Sequence, residues 1–296
     1  MNNVYFSVII PTYNRALLLE KCIRSVISQS YSSFEIIVVD NYSDDNTEDI
    51  VLSFKDNRIK YYKIHNNGII SISRNYGIEK ASGEWICFLD SDDCWLNNKL
   101  DVIYPYTKRY DLIYHQYRLN IRRSYPFQRL RSNFYSVEGK DIAYVLMRGD
   151  PINPSCSAIS KAALGSIRFS EEKNFFAVED YDFFLQIILK NVKTKLIDKD
   201  LTLYDVTTGC SHGRVALDRD RVIFNKYKKY LNHDQFREVI KYYYYRKACY
   251  FFENKLYNDA KRCFLIAYFS KAICVKKNSF LGVVKSMLFS FVNIKK

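Results

Sequence analysis

Residues 85–95 read WICFLDSDDCW, an apolar run followed by three carboxylates within four positions, Asp90, Asp92 and Asp93. The run has the composition of a buried strand. Carboxylates placed so closely repel one another, and two explanations for them stay open on this stretch alone. A group of Asp and Ser residues before a helix is commonly a turn and a helix cap. The same group also suits a divalent cation, which prefers oxygen ligands and relieves the repulsion.

Three similar runs precede this stretch, and segments with helical spacing or capping signals separate them. FSVIIP (6–11), FEIIVVD (34–40), RIKYYKI (58–64) and EWICFLD (84–90) all read as buried strands. Continuous apolar strands that alternate with helices predict an α/β fold, in which a mainly parallel sheet is covered by helices on both faces.

The ends of these strands are the predicted binding site, because ligands of open parallel sheets bind beyond the carboxyl ends of the strands. PTYNR (11–15) follows the first strand, DNYSDDN (40–46) the second and DSDD (90–93) the fourth. Acidic and amide side chains therefore converge at one edge of the sheet. A cation held there would leave coordination positions open for phosphate oxygens, so this edge is predicted to bind a metal and a diphosphate.

The net charge of the chain, +13 over 296 residues, is concentrated at one end. Residues 1–220 carry 28 Lys and Arg against 28 Asp and Glu, whereas residues 221–296 carry 17 against 4. The charge predicts a neutral catalytic or binding domain over 1–220 and a basic, helical region over 221–296. A basic field confined to one end indicates contact with an anionic surface, either a membrane or a nucleic acid.

The cysteines and the hydropathy of the chain indicate where the protein works. Eight cysteines are scattered without metal-binding spacing, which favours a reducing, cytoplasmic setting. The segment MNNVYFSVII lacks a basic leader and reads as a first strand, not as a signal peptide. The most apolar late segment, residues 279–294, is short and contains Lys285, so we expect a soluble or peripheral protein.

That late segment has apolar residues at helical spacing with lysines around them. The apolar positions are Phe280, Val283, Val284, Met287, Leu288 and Phe291. This pattern is typical of an interfacial helix on anionic lipid. A terminal helix packed on the rest of the protein has the same pattern, and both alternatives remain open.

Four motifs match one known family in order and spacing: FSVIIPTYNR, FEIIVVDNYSDDNTEDI, SRNYGIEKASGEWICFLDSDD and VEDYDFFLQ. Together they resemble the inverting glycosyltransferases of family 2, closely over residues 5–100, loosely to residue 215 and not beyond. The resemblance implies the Rossmann-like GT-A fold, a mixed and mostly parallel sheet flanked by helices, here with a helical C-terminal extension. It also implies transfer of a sugar from a nucleotide-sugar, usually a UDP-sugar, to a glycan.

The bacterial members that these motifs resemble build surface polysaccharides such as O-antigen, capsule or lipopolysaccharide on lipid-linked acceptors. The resemblance therefore predicts a nucleotide-sugar donor and a glycan or lipid-linked acceptor as partners. It also predicts peripheral contact with the cytoplasmic face of the inner membrane, and no nucleic acid partner is expected.

The resemblance places the nucleotide-sugar site at the first two strand ends. Pro11, Thr12, Tyr13 and Asn14 correspond to the loop that borders the nucleotide. Asp40 corresponds to the carboxylate that accepts a hydrogen bond from the base, usually uracil. An aspartate that caps the following turn and helix is the alternative for Asp40.

Two further motifs complete the predicted donor site. Arg74 and Asn75, in SRNYG, correspond to a pair that faces the diphosphate and the ribose. An exposed helical arginine beside a structural asparagine is the alternative for this pair. Asp90, Ser91 and Asp92 form the Asp-x-Asp motif of the family, with Asp90 directed toward the ribose.

The metal implied by the resemblance is Mg²⁺ or Mn²⁺, with Asp92 as its main ligand and Asp93 in support. Such a cation neutralises the charge that builds on the nucleoside diphosphate as the glycosidic bond breaks. Many relatives carry a downstream histidine that also holds the metal. Here Thr207 stands at that position and the nearest imidazole is His212, so either His212 ligates through a shifted loop or aspartates and water suffice.

The segment VEDYDFF (178–184) resembles the Glu-Asp motif of the family. An inverting transfer needs a base opposite the leaving group that takes the proton of the acceptor hydroxyl. Asp180 is the predicted base and Glu179 its neighbour. The alternative is that both carboxylates only favour a helix N-terminus. Gln186 stands where relatives often have Arg, a departure that concerns the acceptor geometry.

Two other functions compete with the transferase. The first is a nucleic-acid-binding module that uses the basic C-terminal region, although no RNA- or DNA-binding motif is present. The second is an inactive relative that scaffolds other transferases. The intact Asp90, Asp92 and Asp180 argue against the second.

Overall fold

The computed structural model of the chain describes residues 4–120, 131–205 and 214–293. The chain divides into two compact units, one of Met1–Gly139 with Pro151–Gly209 and one of Lys140–Asp150 with Cys210–Lys296. In contrast to a division at residue 220, the segment 140–150 therefore groups with the C-terminal helices.

A mixed sheet forms the centre of the first unit. Its described strands are β1 (Phe6–Thr12), β2 (Phe34–Asp40), β3 (Ile59–Lys63), β4 (Trp85–Phe88), β5 (Cys94–Trp95), β6 (Leu112–Leu119), β7 (Ser157–Ser160) and β8 (Thr194–Tyr204). They lie in the order β3-β2-β1-β4-β7-β6-β8-β5. The predicted α/β fold with a mixed sheet is confirmed.

The first four strands are parallel, and the strand direction changes at β7. β1 pairs with β2 and β4 in parallel, and β2 pairs with β3 in the same sense. β7 runs antiparallel to both β4 and β6. The carboxyl ends of β1 to β4 therefore meet at one edge, as the sequence predicts.

The structure describes eleven α-helices, and the first three of them separate β1 to β4 as predicted. They are α1 (Ala16–Ile27), α2 (Thr47–Ser53), α3 (Ile70–Lys80), α4 (Lys99–Ile103), α5 (Ile142–Arg148), α6 (Lys161–Leu164), α7 (Glu179–Leu189), α8 (Arg214–Tyr227), α9 (His233–Glu253), α10 (Tyr257–Ala267) and α11 (Ile273–Asn293). In α1, Leu19, Cys22, Ile23 and Val26 recur at helical spacing and are fully buried. Burial of side chains of the Leu and Ile class contributes about 1.5–3 kcal/mol each, which fixes α1 on the sheet.

Close backbone packing sets the distance between α3 and the sheet. A Cβ atom at Gly77 would lie 2.3 Å from Cγ2 of Ile9 on β1. A Cβ atom at Gly83 would lie 2.7 Å from both the backbone nitrogen of Ser7 and the carbonyl oxygen of Tyr5. Glycine therefore allows α3 to approach β1 and allows the following turn to pass beside it. The middle of α3 therefore lies close to the acidic motif that follows β4.

The second unit is helical and consists of α5 and α8 to α11. The small core formed by α9, α10 and α11 contains Ala248, Ala260, Cys263, Phe264 and Val283. The predicted helical character of residues 221–296 is seen in α9, α10 and α11. Among the described residues, no helix has both the length and the apolar character needed to cross a membrane.

Candidate active site

The loops after β1 and β2 are tied together by hydrogen bonds. The backbone N–H of Asn41 donates to the carbonyl of Thr12 at 3.0 Å. The backbone N–H of Asn14 donates to Oγ of Ser43 at 2.8 Å, and Oδ1 of Asn14 accepts from the N–H of Asp44 at 2.8 Å. Asn14 has φ 49°, a left-handed conformation that asparagine tolerates better than most residues. The predicted nucleotide loop is thus a rigid turn.

Asp40 is fully buried at the end of β2. Its carboxylate accepts hydrogen bonds from Oγ of Ser43 at 2.5 Å and from the hydroxyl of Tyr61 at 2.7 Å. The backbone N–H of Ser43 lies 3.2 Å from each carboxylate oxygen. Burial and the nearby Asp40 carboxylate raise the pKa of Tyr61, so this hydroxyl remains a donor. These bonds stabilise the turn and orient the carboxylate, and its contact with a base stays a prediction.

A cavity of about 230 Å³ opens beside these loops. It is lined by Pro11, Thr12, Tyr13, Arg15, Asn41, Asn66, Gly68, Ile70 and Ser91. Thr12 is 5% exposed, and within the described part of the chain its Oγ1 has no hydrogen-bond partner. A buried hydroxyl without a partner on the wall of a cavity is suited to a ligand.

Three of these lining residues were missed by the sequence analysis, Asn66, Gly68 and Ile70, whereas Arg15 and Asn41 lie within the predicted strand-end segments. A signal for two of them was present, because HNNG (65–68) follows β3 and the strand-end rule applies to β3 as well. In the structure the backbone N–H of Asn66 donates to Oδ1 of Asn41 at 2.8 Å. Nδ2 of Asn66 donates to Oγ of Ser73 at 2.8 Å. The third strand end is thereby joined to the second and to α3.

The three carboxylates of the acidic motif point to different partners. Oδ1 of Asp90 accepts from Nη2 of Arg74 at 2.8 Å. Oδ2 of Asp92 accepts from Nη1 of Arg15 at 2.6 Å. Asp93 is 1% exposed, and its Oδ1 accepts from the backbone N–H of Asp205 at 3.0 Å. Asp93 therefore lies in the core and does not line the cavity. Burial, reinforced by the charge of Asp90, raises the pKa of Asp93 well above its usual range.

A buried polar cluster around Ser155 stabilises the acidic motif. Oγ of Ser155, just before β7, accepts from the backbone N–H of Asp90 at 3.0 Å. The carbonyl of Ser155 accepts from Nε1 of Trp95, Nζ of Lys99 and Oγ1 of Thr202 at 3.0, 2.8 and 3.0 Å. Burial lowers the pKa of the fully buried Lys99 to about 8. No local pattern marks this cluster, because its members come from distant parts of the chain.

Arg74 connects the acidic motif to the Glu-Asp motif. It is 3% exposed, and besides Asp90 its Nη1 donates to Oε1 of Glu179 at 3.1 Å. The guanidinium also lies over the ring of Phe169, 5.2 Å from the centroid. Burial works against the charge, but Asp90 and Glu179 outweigh it and raise the pKa of Arg74. Arg74 is therefore buried and charged, not an exposed helical arginine.

Asn75, next to Arg74, faces another way. Its Nδ2 donates to the carbonyl of Phe169 at 3.0 Å and to Oε1 of Glu171 at 2.7 Å. Its Oδ1 accepts from the backbone N–H of Phe169 at 2.9 Å. These three hydrogen bonds hold the segment that leads to α7 against Asn75. Contact of Asn75 with the ribose stays a prediction.

The Glu-Asp motif forms the first turn of α7, as predicted. Glu179 is buried against Arg74, while Asp180 is partly exposed and accepts from the backbone N–H of Tyr181 at 2.7 Å. Burial and the adjacent Glu179 raise the pKa of Asp180 to about 7, although Arg74 opposes the shift. A carboxylate with a pKa near neutrality is suited to accept a proton in catalysis.

A second cavity of about 350 Å³ adjoins the first. It is lined by Asn67, Gly68, Ile69, Ile70, Ser71, Ser170, Glu172, Lys173, Phe175, Phe176 and Glu179. Gly68 and Ile70 line both cavities. Phe176 is 58% exposed, which leaves an aromatic ring available at the second cavity. The two cavities together form a continuous site from the β1 loop to the start of α7.

The residues present suit a divalent cation in part. Asp90 and Asp92 offer the hard oxygen donors that Mg²⁺ and Mn²⁺ prefer, and Mg²⁺ commonly keeps several waters and needs only one or two carboxylates. Over residues 4–120, 131–205 and 214–293, however, no three His, Cys, Asp or Glu side chains converge as a metal site. Both carboxylates are instead paired with arginines. His212 and Thr207 lie outside the described residues.

Gln186, which departs from the family pattern, lies on α7. Its Nε2 donates to Oδ2 of Asp182 at 2.9 Å and is 3.4 Å from the carbonyl of Arg168. The amide therefore has a structural role within α7 and toward the preceding loop.

Comparison with known proteins gives three findings. The sequence model described as "Glycosyl transferase family 2" matches residues 7–168. An uncharacterized glycosyltransferase of Haemophilus influenzae is 32% identical over 202 residues, which are 67% of this chain and 76% of that protein. The Escherichia coli protein "UDP-Glc:alpha-D-GlcNAc-diphosphoundecaprenol beta-1,3-glucosyltransferase WfgD" is 28% identical over 235 residues, 77% of this chain and 83% of that one.

A solved structure extends the likeness to the fold. The crystal structure of Staphylococcus aureus TarS 1-349 in complex with UDP-GlcNAc superposes with a TM-score of 0.62 at 19% identity. The match covers 95% of this chain and 89% of the other. This likeness confirms the predicted GT-A fold.

Proposed function

This chain belongs to glycosyltransferase family 2, and from that premise we propose that it transfers a sugar from a UDP-sugar to a lipid-linked glycan of a bacterial surface polysaccharide. One observation carries the proposal. A cavity at the β1 and β2 loops adjoins a second cavity at the Glu-Asp motif, and both share Gly68 and Ile70. The first has the polar loops expected of a donor site, and the second is lined by Glu179, the neighbour of the proposed base Asp180.

The donor assignment rests on the residues of the first cavity. Thr12 offers a buried hydroxyl without a described partner, and Asn41 and Asn66 add amide groups to the same wall. The choice of UDP is supported by two relatives, since WfgD is named for UDP-Glc and TarS was crystallised with UDP-GlcNAc. Asp40 is placed at the end of β2, where its carboxylate would meet the base.

The acceptor assignment rests on the second cavity and on WfgD, which is named for an acceptor linked to diphosphoundecaprenol. The aromatic ring of Phe176 gives the apolar face of a sugar a surface to stack on. Glu172 and Lys173 add polar groups to the same cavity for the sugar hydroxyls. The acceptor would therefore enter beside Phe176 and place a hydroxyl near Asp180.

The chemistry proposed is a single displacement. Asp180 takes the proton of the acceptor hydroxyl as that oxygen forms a bond to the anomeric carbon, and the bond from that carbon to the nucleotide diphosphate breaks. The electron pair of the broken bond leaves with UDP. Arg74 holds Glu179 and Asp90 in place and keeps positive charge between the two motifs. Asp92 would hold Mg²⁺ or Mn²⁺, which supplies neutralisation of the leaving diphosphate when bound.

Contact with an anionic membrane is the final part of the proposal. On α11, Phe280, Val284 and Leu288 are exposed, while Val283 packs into the core of the helical unit. Lys277 and Lys285 are exposed on the same helix. A helix with one side packed and an apolar side flanked by lysines fits the surface of anionic lipid, where lipid-linked acceptors reside. We propose that the protein works at the cytoplasmic face of the inner membrane.

The test is calorimetric binding of UDP with and without Mn²⁺ to the wild type and to Asp92→Asn. We expect UDP to bind the wild type more tightly with Mn²⁺, and we expect this gain to be lost in Asp92→Asn. Asp198→Asn, which changes an exposed aspartate, is the control and should bind like the wild type. Absence of UDP binding under every condition would contradict the proposed donor, and GDP and dTDP would then be tested in the same way.

A further inference from the structure

Arg15 is the last residue of the loop that follows β1, and it immediately precedes α1. Arg15 lines the proposed donor cavity, as do Thr12 and Ser91. Nη1 of Arg15 lies 2.6 Å from Oδ2 of Asp92. Arg15 therefore occupies an oxygen atom of the carboxylate that is the leading candidate for a cation ligand.

The two arginines of the site differ in how firmly they are held. The side chain of Arg74 is 4% exposed and bridges two carboxylates, Asp90 and Glu179. The side chain of Arg15 is 34% exposed and pairs with Asp92, whose side chain is 13% exposed. Water screens a partly exposed ion pair more than a buried one, and ordering a long side chain is unfavourable. Arg15 therefore leaves its carboxylate at a smaller loss than Arg74 does.

A divalent cation and Arg15 compete for Asp92. Both are positive and both are attracted to this carboxylate, so at such short distances their mutual repulsion weakens the binding of each. A diphosphate in the adjoining cavity changes this balance, because a guanidinium binds phosphate oxygens with two parallel hydrogen bonds. Arg15 lies on the wall of that cavity and has the reach to turn toward such a ligand.

We propose that Arg15 is a displaceable counter-ion of Asp92. It competes with the divalent cation while the donor site is empty, and it turns to the diphosphate when the nucleotide enters. The inference rests on the proposed function, since it takes the ligand of the cavity to be a nucleoside diphosphate. Its consequence is cooperative binding, in which the nucleotide strengthens the binding of the cation and the cation strengthens that of the nucleotide to the same degree.

The experiment is titration of Mn²⁺, followed by the electron paramagnetic resonance signal of the free ion, first without nucleotide and then with UDP. Arg15→Gln keeps hydrogen-bonding groups and removes the charge, and Arg15→Lys restores the charge. The control is Arg24→Gln, since Arg24 lies on α1 and pairs with Glu20 at the surface. Circular dichroism and thermal unfolding establish that each variant is folded.

Without nucleotide we expect Arg15→Gln to bind Mn²⁺ about fivefold more tightly than the wild type, the size of effect expected when a partly exposed ion pair is released. Arg15→Lys and Arg24→Gln should stay close to the wild type. With Mn²⁺ present, Arg15→Gln should bind UDP more weakly, and the strengthening of Mn²⁺ binding by UDP should shrink.

An unchanged or weaker affinity of Arg15→Gln for Mn²⁺ alone would overturn the inference, as would absence of Mn²⁺ binding to both proteins. Failure of the proposed function has a different signature, because UDP would then bind no variant with or without Mn²⁺. The titration without nucleotide decides on Arg15 in either case.

Discussion

Nη1 of Arg74 donates to Oε1 of Glu179 at 3.1 Å, a bond that joins the middle of α3 to the first turn of α7 across 105 residues of sequence. The same guanidinium donates to Asp90. A buried cation that bridges two carboxylates fixes the distance between the acidic motif and the Glu-Asp motif. The proposed donor and acceptor groups therefore hold their geometry through a single side chain.

Replacement of Arg74 by Met should lower both stability and activity. The substitution leaves Asp90 and Glu179 without their buried partner, and such a loss destabilises by about 3 kcal/mol. Arg74→Lys keeps the charge but cannot reach two carboxylates with a rigid fork, so we expect an intermediate effect. Urea unfolding at neutral pH measures the stability of both variants, and initial rates of sugar transfer measure their activity. Arg24→Met, at an exposed pair, is the control, and an equal loss in that variant would refute the bridging role.

The transfer rate should depend on the protonation of Asp180. Since the pKa of this carboxyl is about 7, the rate should rise with pH and approach a plateau above neutrality. Initial rates with a UDP-sugar and an acceptor, measured from acid to mildly alkaline pH, test this. Asp180→Asn should abolish turnover while UDP still binds. A rate that stays flat through pH 7 would remove Asp180 from the role of base.

The ionisation of Asp180 should also make stability depend on pH. The pKa of an aspartate side chain is ordinarily 3.8, whereas the pKa of Asp180 in the folded protein is about 7, so the folded state binds more protons between these values. The contribution of Asp180 to the free energy of unfolding therefore falls as pH rises through this window. The difference in free energy of unfolding between Asp180→Asn and the wild type should therefore favour the variant more at pH 8 than at pH 4. Unfolding of both proteins at the two pH values measures this difference.

Lys99 should show the opposite dependence on pH. Its pKa is lowered by burial to about 8 from 10.5, so the unfolded state binds more protons between these values and stability rises with pH across them. Lys99→Met should remove this rise. The carbonyl of Ser155 still accepts from Trp95 and Thr202 in that variant, so little stability should be lost at neutral pH. Unfolding from pH 7.5 to 10.5 tests both points, and an unchanged slope in Lys99→Met would contradict them.

Binding to anionic vesicles should depend on the lysines of α11. The triple change Lys276→Glu, Lys277→Glu and Lys285→Glu should reduce sedimentation with phosphatidylglycerol vesicles at least tenfold, since each basic residue near such a surface contributes about 1 kcal/mol. The matched control changes three lysines exposed in the first unit, Lys55, Lys193 and Lys199, to Glu. Equal losses in the two proteins would indicate a general charge effect and not a membrane-binding helix.

The sequence predicts the parallel half of the sheet because β1, β2 and β4 are continuous apolar runs that are buried along their length. β6, with the sequence LIYHQYRL, is not recognisable in this way. His115 is buried with its Nδ1 2.8 Å from the carbonyl of the adjacent Gln116, and the buried side chain of Gln116 bonds to the backbone of Phe134. Polar residues of this kind hide a strand from an analysis of hydropathy. Burial depends on tertiary contacts that local patterns do not contain.

The candidate site also contains residues that the sequence predicts and residues that it does not. Residues directly after strands, such as Thr12, Asp40 and Asp90, are found from the strand-end rule. The roles of Arg15 and Ser155 depend on partners far away in sequence, 77 residues for Arg15 and Asp92 and 65 for Ser155 and Asp90. Such pairings follow from the packing of the folded sheet, so no spacing in the sequence announces them.

Ser155, whose carbonyl accepts from three donors, determines when the acidic motif can be fixed during synthesis on the ribosome. A nascent chain that has emerged as far as residue 120 already contains the whole acidic motif, yet it lacks the residue that anchors the backbone of Asp90. The motif can be fixed only after β7 has left the exit tunnel and inserted beside β4. The candidate site therefore forms late in translation, although nearly all of its residues are made early.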